Sequence, residues 1–402
     1  MAQNWAGNIT YRGTVARPTS VPELQELVAD APAVRPLGTR HSFNELADTD
    51  GLQVSLEALP AEPRFSDDSG GNTVTVPGGM RYGDLAPLLE ERGLALPNLA
   101  SLPHISIAGA VSTGTHGSGT GSLATAVSAL TLVGADGSLR RVTRADPDFA
   151  GTVVGLGALG VVVEVTLDLV GSFSLSQAVY PGLGFFAMLE DFDEVMAAGY
   201  SVSVFTRWAG PVQIWVKGPT VPADLFEVPY ATEPLHMIAG ESVSAVTTQC
   251  AVPGPWLDRL PHFRLAHKPS SGVELQSEYL VPRYQFIPAL TRIRGMAERI
   301  APLLHVSEIR TVTADELWLS GAYGEDAVAV HFTWHQDPAV FALLPAIEEA
   351  LLPLGARPHW GKCFATTDVA PLYPRWQDFL ELQRAHDPTA KFVNPFLSRL
   401  LD

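Results

Sequence analysis

The chain has 402 residues, of which 46% are hydrophobic and 17% charged, a balance that is typical of a folded globular protein and excludes a disordered or fibrous one. Its formal net charge of −17 argues against binding to nucleic acid or to an anionic membrane, because both depend on clustered lysine and arginine. Single hydrophobic cores rarely grow to this length, so we expect two or three domains.

Short helices and strands alternate in the first part of the chain. Ser20 and Glu23 form a capping-box pattern ahead of an apolar run, which predicts that a helix begins there. Strands are predicted at residues 34–37, 52–56 and 73–76, a second helix at 82–93, and a β-hairpin at 127–142. This irregular alternation favours an α+β fold over a doubly wound one.

The predicted elements become longer in the second part, after about residue 171. Strands are predicted at residues 200–208, 212–218 and 327–335, and helices at 284–300 and 340–352. The tail from Asp378 begins as a helix and ends in apolar residues, so we expect it to pack back on the first part.

The sequence contains no sign of export or of a membrane span. No basic segment precedes an apolar run at the N-terminus, so we expect no secretory signal. The most apolar window, residues 153–170, contains three glycines, Glu164 and Asp168, which favours a buried strand. Cys250 and Cys363 are too few for a disulfide scaffold and lack metal-ligand spacing. We therefore expect a cytoplasmic monomer with no membrane partner and no metal.

Two loops of the first part combine glycine with hydroxyl side chains, namely residues 38–42 (GTRHS) and 112–119 (STGTHGSG). Glycine lets backbone amides approach an anion closely and hydroxyl groups add donors, so such loops can hold the diphosphate of a cofactor. Ordinary tight turns are the alternative, since glycine clusters form those too. The sequence lacks the lysine ending of a P-loop, the compact dinucleotide-binding unit of a Rossmann domain and the GxSxG elbow of an α/β-hydrolase.

The pairing of these loops resembles the FAD-binding domain of the vanillyl-alcohol-oxidase-type flavoproteins, in which two such loops hold the FAD diphosphate. More closely, almost the whole chain resembles the alditol oxidases and aldonolactone oxidoreductases of that family. The motifs that carry the resemblance are GTRHSFNELADT, LPNLASLPHISIAGAVSTGTHGSG, SSGVELQSEYLVPR, SEIRTV, AVHFTW and RPHWGKCF. The resemblance implies a two-subdomain FAD-binding domain at residues 1–172, a substrate domain at 173–366 with a large mixed or antiparallel sheet flanked by helices, and a C-terminal segment at 367–402 that packs back on the FAD-binding domain.

A histidine in the first loop is covalently bonded to the flavin 8α-methyl group in such relatives, and it matches His41. A neutral imidazole is a nucleophile near neutral pH, which suits that bond, although the loop alone would favour a histidine that only hydrogen-bonds the cofactor or caps a turn. Relatives commonly have glycine where Arg40 stands, and this arginine could contact phosphate or face solvent. The other cofactor contacts that the resemblance implies are Gly38, Thr39, Arg40, Ser42, Ser101, Ser106, Gly109, Thr113, Gly114, Thr115, His116, Val163 and His359.

Polar residues recur at alternate positions on two predicted strands of the second part. Glu308 and Arg310 share one face of the first strand, and His331 and Thr333 share one face of the second. A structural ion pair is the simpler explanation of Glu308 and Arg310. The resemblance instead implies a polyol site formed by Ser101, Glu308, Arg310, Thr333 and Lys362. It also implies that His331 is the base, while Arg310 and Lys362 lower the pKa of the reacting hydroxyl.

The resemblance therefore implies an FAD-dependent oxidation of the terminal hydroxyl of an open-chain polyol, such as xylitol or sorbitol, to the aldose, with O₂ reduced to hydrogen peroxide. An aldonolactone oxidase or dehydrogenase is the alternative within the family. Ala100 lies where relatives tune oxygen access to the flavin, and it does not distinguish an oxidase from a dehydrogenase. A non-catalytic carbohydrate- or nucleotide-binding protein is the alternative outside the family, and the presence of His41, Arg310 and Lys362 argues against it.

Overall fold

The computed structural model describes residues 2–60, 62–66, 72–267 and 273–401. The strands of the first part are β1 (Thr14–Ala16), β2 (Val34–Leu37), β3 (Leu52–Ser55), β4 (Arg64–Phe65), β5 (Thr73–Pro77), β6 (Leu94–Ala95), β7 (Val127–Val133), β8 (Leu139–Thr143), β9 (Val161–Asp168) and β10 (Val170–Gly171). Its helices are α1 (Val21–Asp30), α2 (Tyr82–Glu90), α3 (Ile107–Ser112) and α4 (Phe149–Val153).

The second part continues the strands with β11 (Ser174–Leu183), β12 (Ser201–Thr206), β13 (Val212–Gly218), β14 (Asp224–Leu225), β15 (Val228–Pro229), β16 (Gly254–Pro255), β17 (Glu274–Pro282), β18 (Leu304–Val312), β19 (Ala327–His335) and β20 (Arg357–Pro358). The remaining helices are α5 (Phe185–Glu190), α6 (Phe192–Ala197), α7 (Phe286–Arg294), α8 (Ala297–Ile300), α9 (Ala339–Leu351), α10 (Trp376–His386) and α11 (Pro395–Leu401). Within the described ranges, no helix has both the length and the apolar character that a membrane crossing demands.

Two larger sheets and the short antiparallel pair of β6 and β10 are described in the first part. Strands β1, β3 and β2 form a parallel sheet in that order, and β4, β5, β9, β7 and β8 form an antiparallel one. The predicted hairpin is confirmed as β7 and β8, and the apolar window is confirmed as the buried strand β9. The predicted capping box is confirmed at α1, where Ser20 Oγ accepts from the Glu23 amide at 3.3 Å and the Glu23 carboxylate accepts from the Thr19 amide at 2.7 Å.

One large sheet dominates the second part and confirms the α+β fold. Its strands lie in the order β16-β11-β13-β12-β18-β19-β17-β20, and neighbouring strands run antiparallel throughout. One face is apolar, with Ile309, Phe332 and Trp334 packed in the same core as Leu290 of α7 and Ile347 of α9. Because successive side chains of a strand point to opposite faces, the polar residues between these apolar ones face the first part.

The helix predicted at residues 284–300 is divided in the structure. Helix α7 ends at Arg294 and α8 begins at Ala297, with Gly295 and Met296 between them. Glycine is unfavourable inside a helix because it loses more backbone freedom on folding than other residues, which accounts for the break at Gly295. The apolar periodicity of the sequence continues across this break, so it predicted one helix where the structure has two.

The C-terminal helices α10 and α11 lie against the first part. Phe379 and Leu397 belong to the same apolar core as residues of α3 and β9. Between these helices, Lys391 Nζ donates to the carbonyl oxygens of Val28 and Ala135, each at 2.7 Å. The predicted boundaries after residues 172 and 366 remain a prediction.

Candidate active site

A cavity of about 300 Å³ lies between the polar face of the large sheet and the loops of the first part, and its volume is in the range of small-molecule sites. Strands β17, β18 and β19, both glycine-hydroxyl loops and the turn at residues 359–362 contribute to its wall. The predicted site residues found on this wall are Gly38, Thr39, Arg40, His41, Ser42, Ser101, Ser106, Gly109, Thr113, Thr115, His116, Glu308, Arg310, His331, Thr333, His359 and Lys362. Ala100 lies there too.

Gly114 and Val163 are the predicted contacts that do not line the cavity. Val163 is buried in the apolar core beside the parallel sheet, and its neighbour Val162 lines the cavity, because successive side chains of β9 point to opposite faces. Gly114 has a φ of +66° and turns the second loop, so that Thr113 and Thr115 reach the wall. Val162 thus lies on the wall next to the predicted Val163, and Gly114 shapes the loop through its backbone; the cofactor contacts of Val163 and Gly114 remain predictions.

The first loop and helix α3, which leads into the second loop, approach each other closely at the cavity wall. Thr39 Oγ1 accepts from the Ser106 amide at 3.1 Å. A Cβ atom at Gly38 would lie 2.7 Å from Ser106 Oγ, and one at Gly109 would lie 2.8 Å from the same atom. These glycines thus permit a close approach that a side chain would prevent, and the wall keeps the amide and hydroxyl donors that a diphosphate group binds.

His41 projects from the first loop as a half-buried, neutral imidazole. Its ring stacks on Trp5, with centroids 5.6 Å apart and planes at 24°, and its Nδ1 lies 3.0 Å from Thr39 Oγ1. Burial lowers the pKa of His41 to about 4, and the neighbouring His104 and Lys362 act in the same direction. The ring is therefore unprotonated near neutral pH, the form in which an imidazole nitrogen is a nucleophile.

Arg40 has a left-handed backbone conformation, with a φ of +66°. Its side chain is exposed, and its carbonyl oxygen accepts from the Trp5 amide at 2.8 Å. Side chains other than glycine rarely adopt this conformation, because the Cβ atom then crowds the carbonyl oxygen. The position therefore suits the glycine that relatives commonly have, and the hydrogen bond to Trp5 holds the backbone there in this chain.

Glu278 of β17 lies at the centre of a buried charged cluster. Arg310 Nη2 donates to Glu278 Oε1 at 2.9 Å. His116 Nε2 lies 3.1 Å from the same oxygen, and His331 Nδ1 lies 3.3 Å from Glu278 Oε2. Burial alone would raise the pKa of Glu278, but His116, Arg310 and His331 together hold it well below its usual range. Glu278 is therefore an ionised carboxylate around which three basic side chains are arranged.

Glu278 was not among the site residues predicted from the sequence, although the sequence contains a signal for it. Glu274, Gln276 and Glu278 alternate along β17, and all three line the cavity. The same alternation of polar residues located Glu308 and Arg310 on β18. The motif SSGVELQSEYLVPR contains the same alternation and therefore indicates a third strand with a polar face at the site.

Glu308 and Arg310 face the cavity from β18, as the alternation predicted. Arg310 Nε lies 3.6 Å from Glu308 Oε1, and His262 Nε2 lies nearer to that oxygen, at 2.8 Å. Burial would raise the pKa of Glu308, but Arg310 and His262 bring it below its usual value. Burial likewise opposes the charge of Arg310, yet Glu308 and Glu278 raise its pKa. One guanidinium group thus lies between two buried carboxylates, and all three are charged.

His331 has a polar neighbour at each ring nitrogen. Nδ1 lies near Glu278, and Nε2 lies 3.2 Å from Thr333 Oγ1. Burial lowers the pKa of His331 by more than the Glu278 carboxylate raises it, so the ring is neutral near pH 7. With its proton on Nδ1 toward the carboxylate, the ring would keep Nε2 as an acceptor, which is the state that a general base requires.

The turn after β20 presents Lys362 and His359 at the cavity wall. Lys362 Nζ donates to Gln276 Oε1 and lies 4.9 Å from the ring centroid of Phe43, and burial lowers its pKa. His359 Nδ1 accepts from the Gly361 amide at 3.0 Å, and burial lowers the pKa of His359 to about 3. The turn therefore brings a lysine side chain and a neutral imidazole into the same cavity.

Two models of protein families match the chain. The model described as FAD binding domain matches residues 13–143, and the model described as D-arabinono-1,4-lactone oxidase matches residues 273–400. The first match contains both glycine-hydroxyl loops, and the second contains the polar faces of β17, β18 and β19. Each matched segment thus contributes residues to one side of the cavity wall.

Three relatives match nearly the whole chain. Alditol oxidase of Streptomyces sp. is 48% identical over 413 residues, which cover 99% of this chain and 98% of that protein. L-gulono-1,4-lactone dehydrogenase of Mycobacterium tuberculosis is 28% identical over 436 residues, which cover 99% and 98%. L-gulonolactone oxidase of Bos taurus is 27% identical over 439 residues, which cover 99% and 97%.

The fold is also that of a solved flavoenzyme. Cholesterol oxidase from B. sterolicum superimposes with a TM-score of 0.81 at 15% sequence identity, over 100% of this chain and 96% of that one. Identity this low shows the fold alone. The identity to the Streptomyces enzyme along the full length goes further, and it shows that this chain belongs to the alditol oxidase family of FAD-dependent oxidoreductases.

Proposed function

We propose that the protein oxidises the terminal primary hydroxyl of alditols such as xylitol and sorbitol to the aldose, with O₂ reduced to hydrogen peroxide. The observation that carries the proposal is the contact of neutral His331 with ionised Glu278 beside Arg310, in the cavity whose other wall carries His41. A base, a cation and a predicted flavin attachment residue thus share one cavity. The 48% identity to an alditol oxidase supports the same assignment.

The residues of the first part fit the cofactor. The close approach of Gly38 and Gly109 to Ser106 leaves amide and hydroxyl donors for the diphosphate, and the neutral His41 suits a covalent bond to the flavin. We assign that bond to His41, with Trp5 stacked on the imidazole ring. FAD, when bound, supplies the acceptor for the hydride that leaves the substrate.

The side chains of the large sheet handle the substrate proton. Arg310 and Lys362 place positive charge near the reacting hydroxyl, which favours its deprotonation. His331 Nε2 accepts that proton, and the Glu278 carboxylate next to Nδ1 stabilises the imidazolium group that results. The substrate thus loses a proton from its terminal hydroxyl to His331 and a hydride from the carbon that bears this hydroxyl, which leaves the aldehyde.

The remaining polar residues bind the other hydroxyl groups. Ser101, Glu308 and Thr333 line the cavity and offer two hydroxyl groups and a carboxylate. Hydrogen bonds to hydroxyls along an open chain hold its terminal carbon in a reactive position. An open-chain polyol has several hydroxyl groups that can bind these three side chains at once.

Oxidation of an aldonolactone is the second candidate function. It is favoured by the match of residues 273–400 to a model described as D-arabinono-1,4-lactone oxidase. Turnover of xylitol and of gulonolactone by the purified, FAD-loaded protein, measured with an artificial electron acceptor, separates the two. We expect a higher kcat/KM for xylitol, whereas faster oxidation of the lactone would establish the second function. A protein that stays colourless with added FAD would contradict both.

A further inference from the structure

Lys217 of β13 is a buried lysine that the chemistry above does not use. Its side chain is 1% exposed, and its ammonium group has three acceptors. Nζ donates to the carbonyl oxygens of Leu260 and Pro261 at 2.6 and 3.2 Å, and to His262 Nδ1 at 2.8 Å. An ammonium group has three N–H donors, so these three bonds use all of them.

Lys217 and Glu308, one at each ring nitrogen, determine which nitrogen of His262 carries the proton. The ionised Glu308 carboxylate can only accept, so the proton of the neutral ring is on Nε2, and Nδ1 keeps the lone pair that accepts from Lys217 Nζ. Nε2 lies 2.8 Å from Glu308 Oε1, at which an N–H group is the favourable partner. Burial lowers the pKa of His262 to about 4, which keeps the ring neutral. Donors and acceptors therefore follow one direction from Lys217 through His262 to Glu308.

The same segment also holds Ser101. The backbone amides of His262 and Phe263 donate to the Ser101 carbonyl oxygen at 3.1 and 3.2 Å. Residues 260–263 thus join Lys217 to Ser101 through the backbone and to Glu308 through the His262 ring. Ser101 and Glu308 both line the cavity, as does His262 itself.

We propose that Lys217 and His262 are positioning residues for the polyol: Lys217 fixes the Nε2–H tautomer of His262, and His262 then holds one Glu308 oxygen so that the other can accept from a substrate hydroxyl. This inference rests on the proposed function for the identity of the ligand. It adds to the site a buried lysine that does not line the cavity and a histidine that lines it beside Glu308. A lysine with a purely structural role could be held by the carbonyl oxygens of Leu260 and Pro261 alone. Lys217 also bonds His262, which in turn bonds the Glu308 carboxylate of the cavity.

Steady-state kinetics with xylitol tests the role in substrate binding. We expect His262→Leu and Lys217→Met to raise the KM for xylitol roughly tenfold, the effect of losing about 1.4 kcal/mol of binding, with kcat changed less than about twofold. His262→Gln keeps an N–H donor for Glu308 and an oxygen for Lys217, so it should recover most of the affinity. Variants with an unchanged KM and a lower melting temperature would overturn the proposal in favour of a structural role.

A matched control is available in Lys391. Its Nζ also donates to three acceptors, here the carbonyl oxygens of Val28, Ala29 and Ala135, and it does not line the cavity. Lys391→Met therefore removes a comparable set of bonds far from Glu308, and we expect it to leave the KM for xylitol unchanged. A rise in KM equal to that of Lys217→Met would contradict the specific role of Lys217.

Nuclear magnetic resonance of ¹⁵N-histidine-labelled protein tests the tautomer without substrate. The His262 signals are assigned as those missing from the His262→Leu spectrum. We expect the Nε2–H tautomer in the wild-type protein and a loss of that preference in Lys217→Met. A wild-type ring with its proton on Nδ1 would overturn the proposal. Failure to oxidise xylitol, by contrast, would overturn the proposed function, and the tautomer would still show whether the Lys217–His262–Glu308 chain exists.

Discussion

At the scale of single residues, His41 depends on the conformation of the residue before it. Arg40 has a φ of +66°, and its carbonyl oxygen bonds the Trp5 amide while Trp5 stacks on the His41 ring. The sequence predicted His41 as the flavin attachment residue but left the role of Arg40 open, because a one-dimensional pattern does not reveal a left-handed backbone at a residue other than glycine. The structure explains the position by its backbone, since the Arg40 side chain is exposed.

Replacement of Arg40 tests this explanation. Arg40→Gly should raise the free energy of unfolding of the FAD-loaded protein by up to about 1 kcal/mol, because glycine adopts the left-handed conformation without a steric penalty. Arg40→Val should lower it by about 1–2 kcal/mol, because a β-branched side chain fits that conformation poorly. Denaturant unfolding of both variants provides the measurement. A destabilised glycine variant would show that the guanidinium group contributes more than the backbone.

The covalent bond to His41 has its own test. The wild-type protein, denatured and precipitated, should retain its yellow colour in the pellet. His41→Ala should release the colour to the supernatant, because the attachment nitrogen is gone. Absorbance at the flavin maximum in pellet and supernatant gives the result. Release of the colour from wild-type protein would contradict the bond and leave non-covalent FAD binding intact.

At the scale of elements, the site is a row of residues across three strands. Glu278, His331 and Glu308 are direct register partners on β17, β19 and β18. Alternation within each strand predicted the shared faces of β18 and β19, because the side-chain period of a strand is two. The strand order β18-β19-β17 arises from pairing between distant segments, and nothing in the local sequence indicates that Glu278 comes next to His331. The family resemblance implied Val163 as a cofactor contact, and the cavity wall at this strand is formed by its neighbour Val162.

The pairing of Glu278 with His331 predicts a shift in the pH dependence of activity when Glu278 is replaced. The Glu278 carboxylate raises the pKa of His331, and burial lowers it by more. Glu278→Gln removes the raising charge, so the acid limb of kcat/KM for xylitol should move to lower pH, with a fall in kcat of roughly 10²-fold from loss of support to the base. Glu349→Gln, at an exposed position of α9, is the control and should leave the profile in place. An acid limb that stays in place in Glu278→Gln would argue against His331 as the base.

At the scale of the whole molecule, the cavity exists because one polar sheet face meets the loops of the first part. Sequence patterns predicted both walls, since each is a local feature: glycine with hydroxyls on one side, alternating polar residues on the other. The Lys217–His262–Glu308 chain was not predicted from sequence. Lys217 and His262 are far apart in the chain. In the sequence Lys217 resembles any lysine of a strand, and only the structure shows its three hydrogen-bond acceptors.

The buried Lys217 also affects the stability of the whole protein. Burial lowers its pKa from 10.5 to about 7 in the folded state. Between these values the unfolded chain binds more protons, so the contribution of Lys217 to stability increases as pH rises. The unfolding free energy of wild type minus that of Lys217→Met should therefore increase from about pH 7 to pH 10, by at most about 1.4 kcal/mol per pH unit. Urea unfolding at several pH values measures it, and a difference that decreases with pH would contradict the lowered pKa.

The proposed reaction is the oxidation of an alditol bound in this cavity, with O₂ reduced to hydrogen peroxide. The most direct measurement is the amount of hydrogen peroxide formed per xylitol consumed by the purified, FAD-loaded protein in air. We predict one peroxide per xylitol, with the rate reduced by at least about 10²-fold in His331→Ala, the loss expected when a general base is removed. Xylitol left unconsumed by the wild-type protein, or consumed without peroxide, would contradict the account.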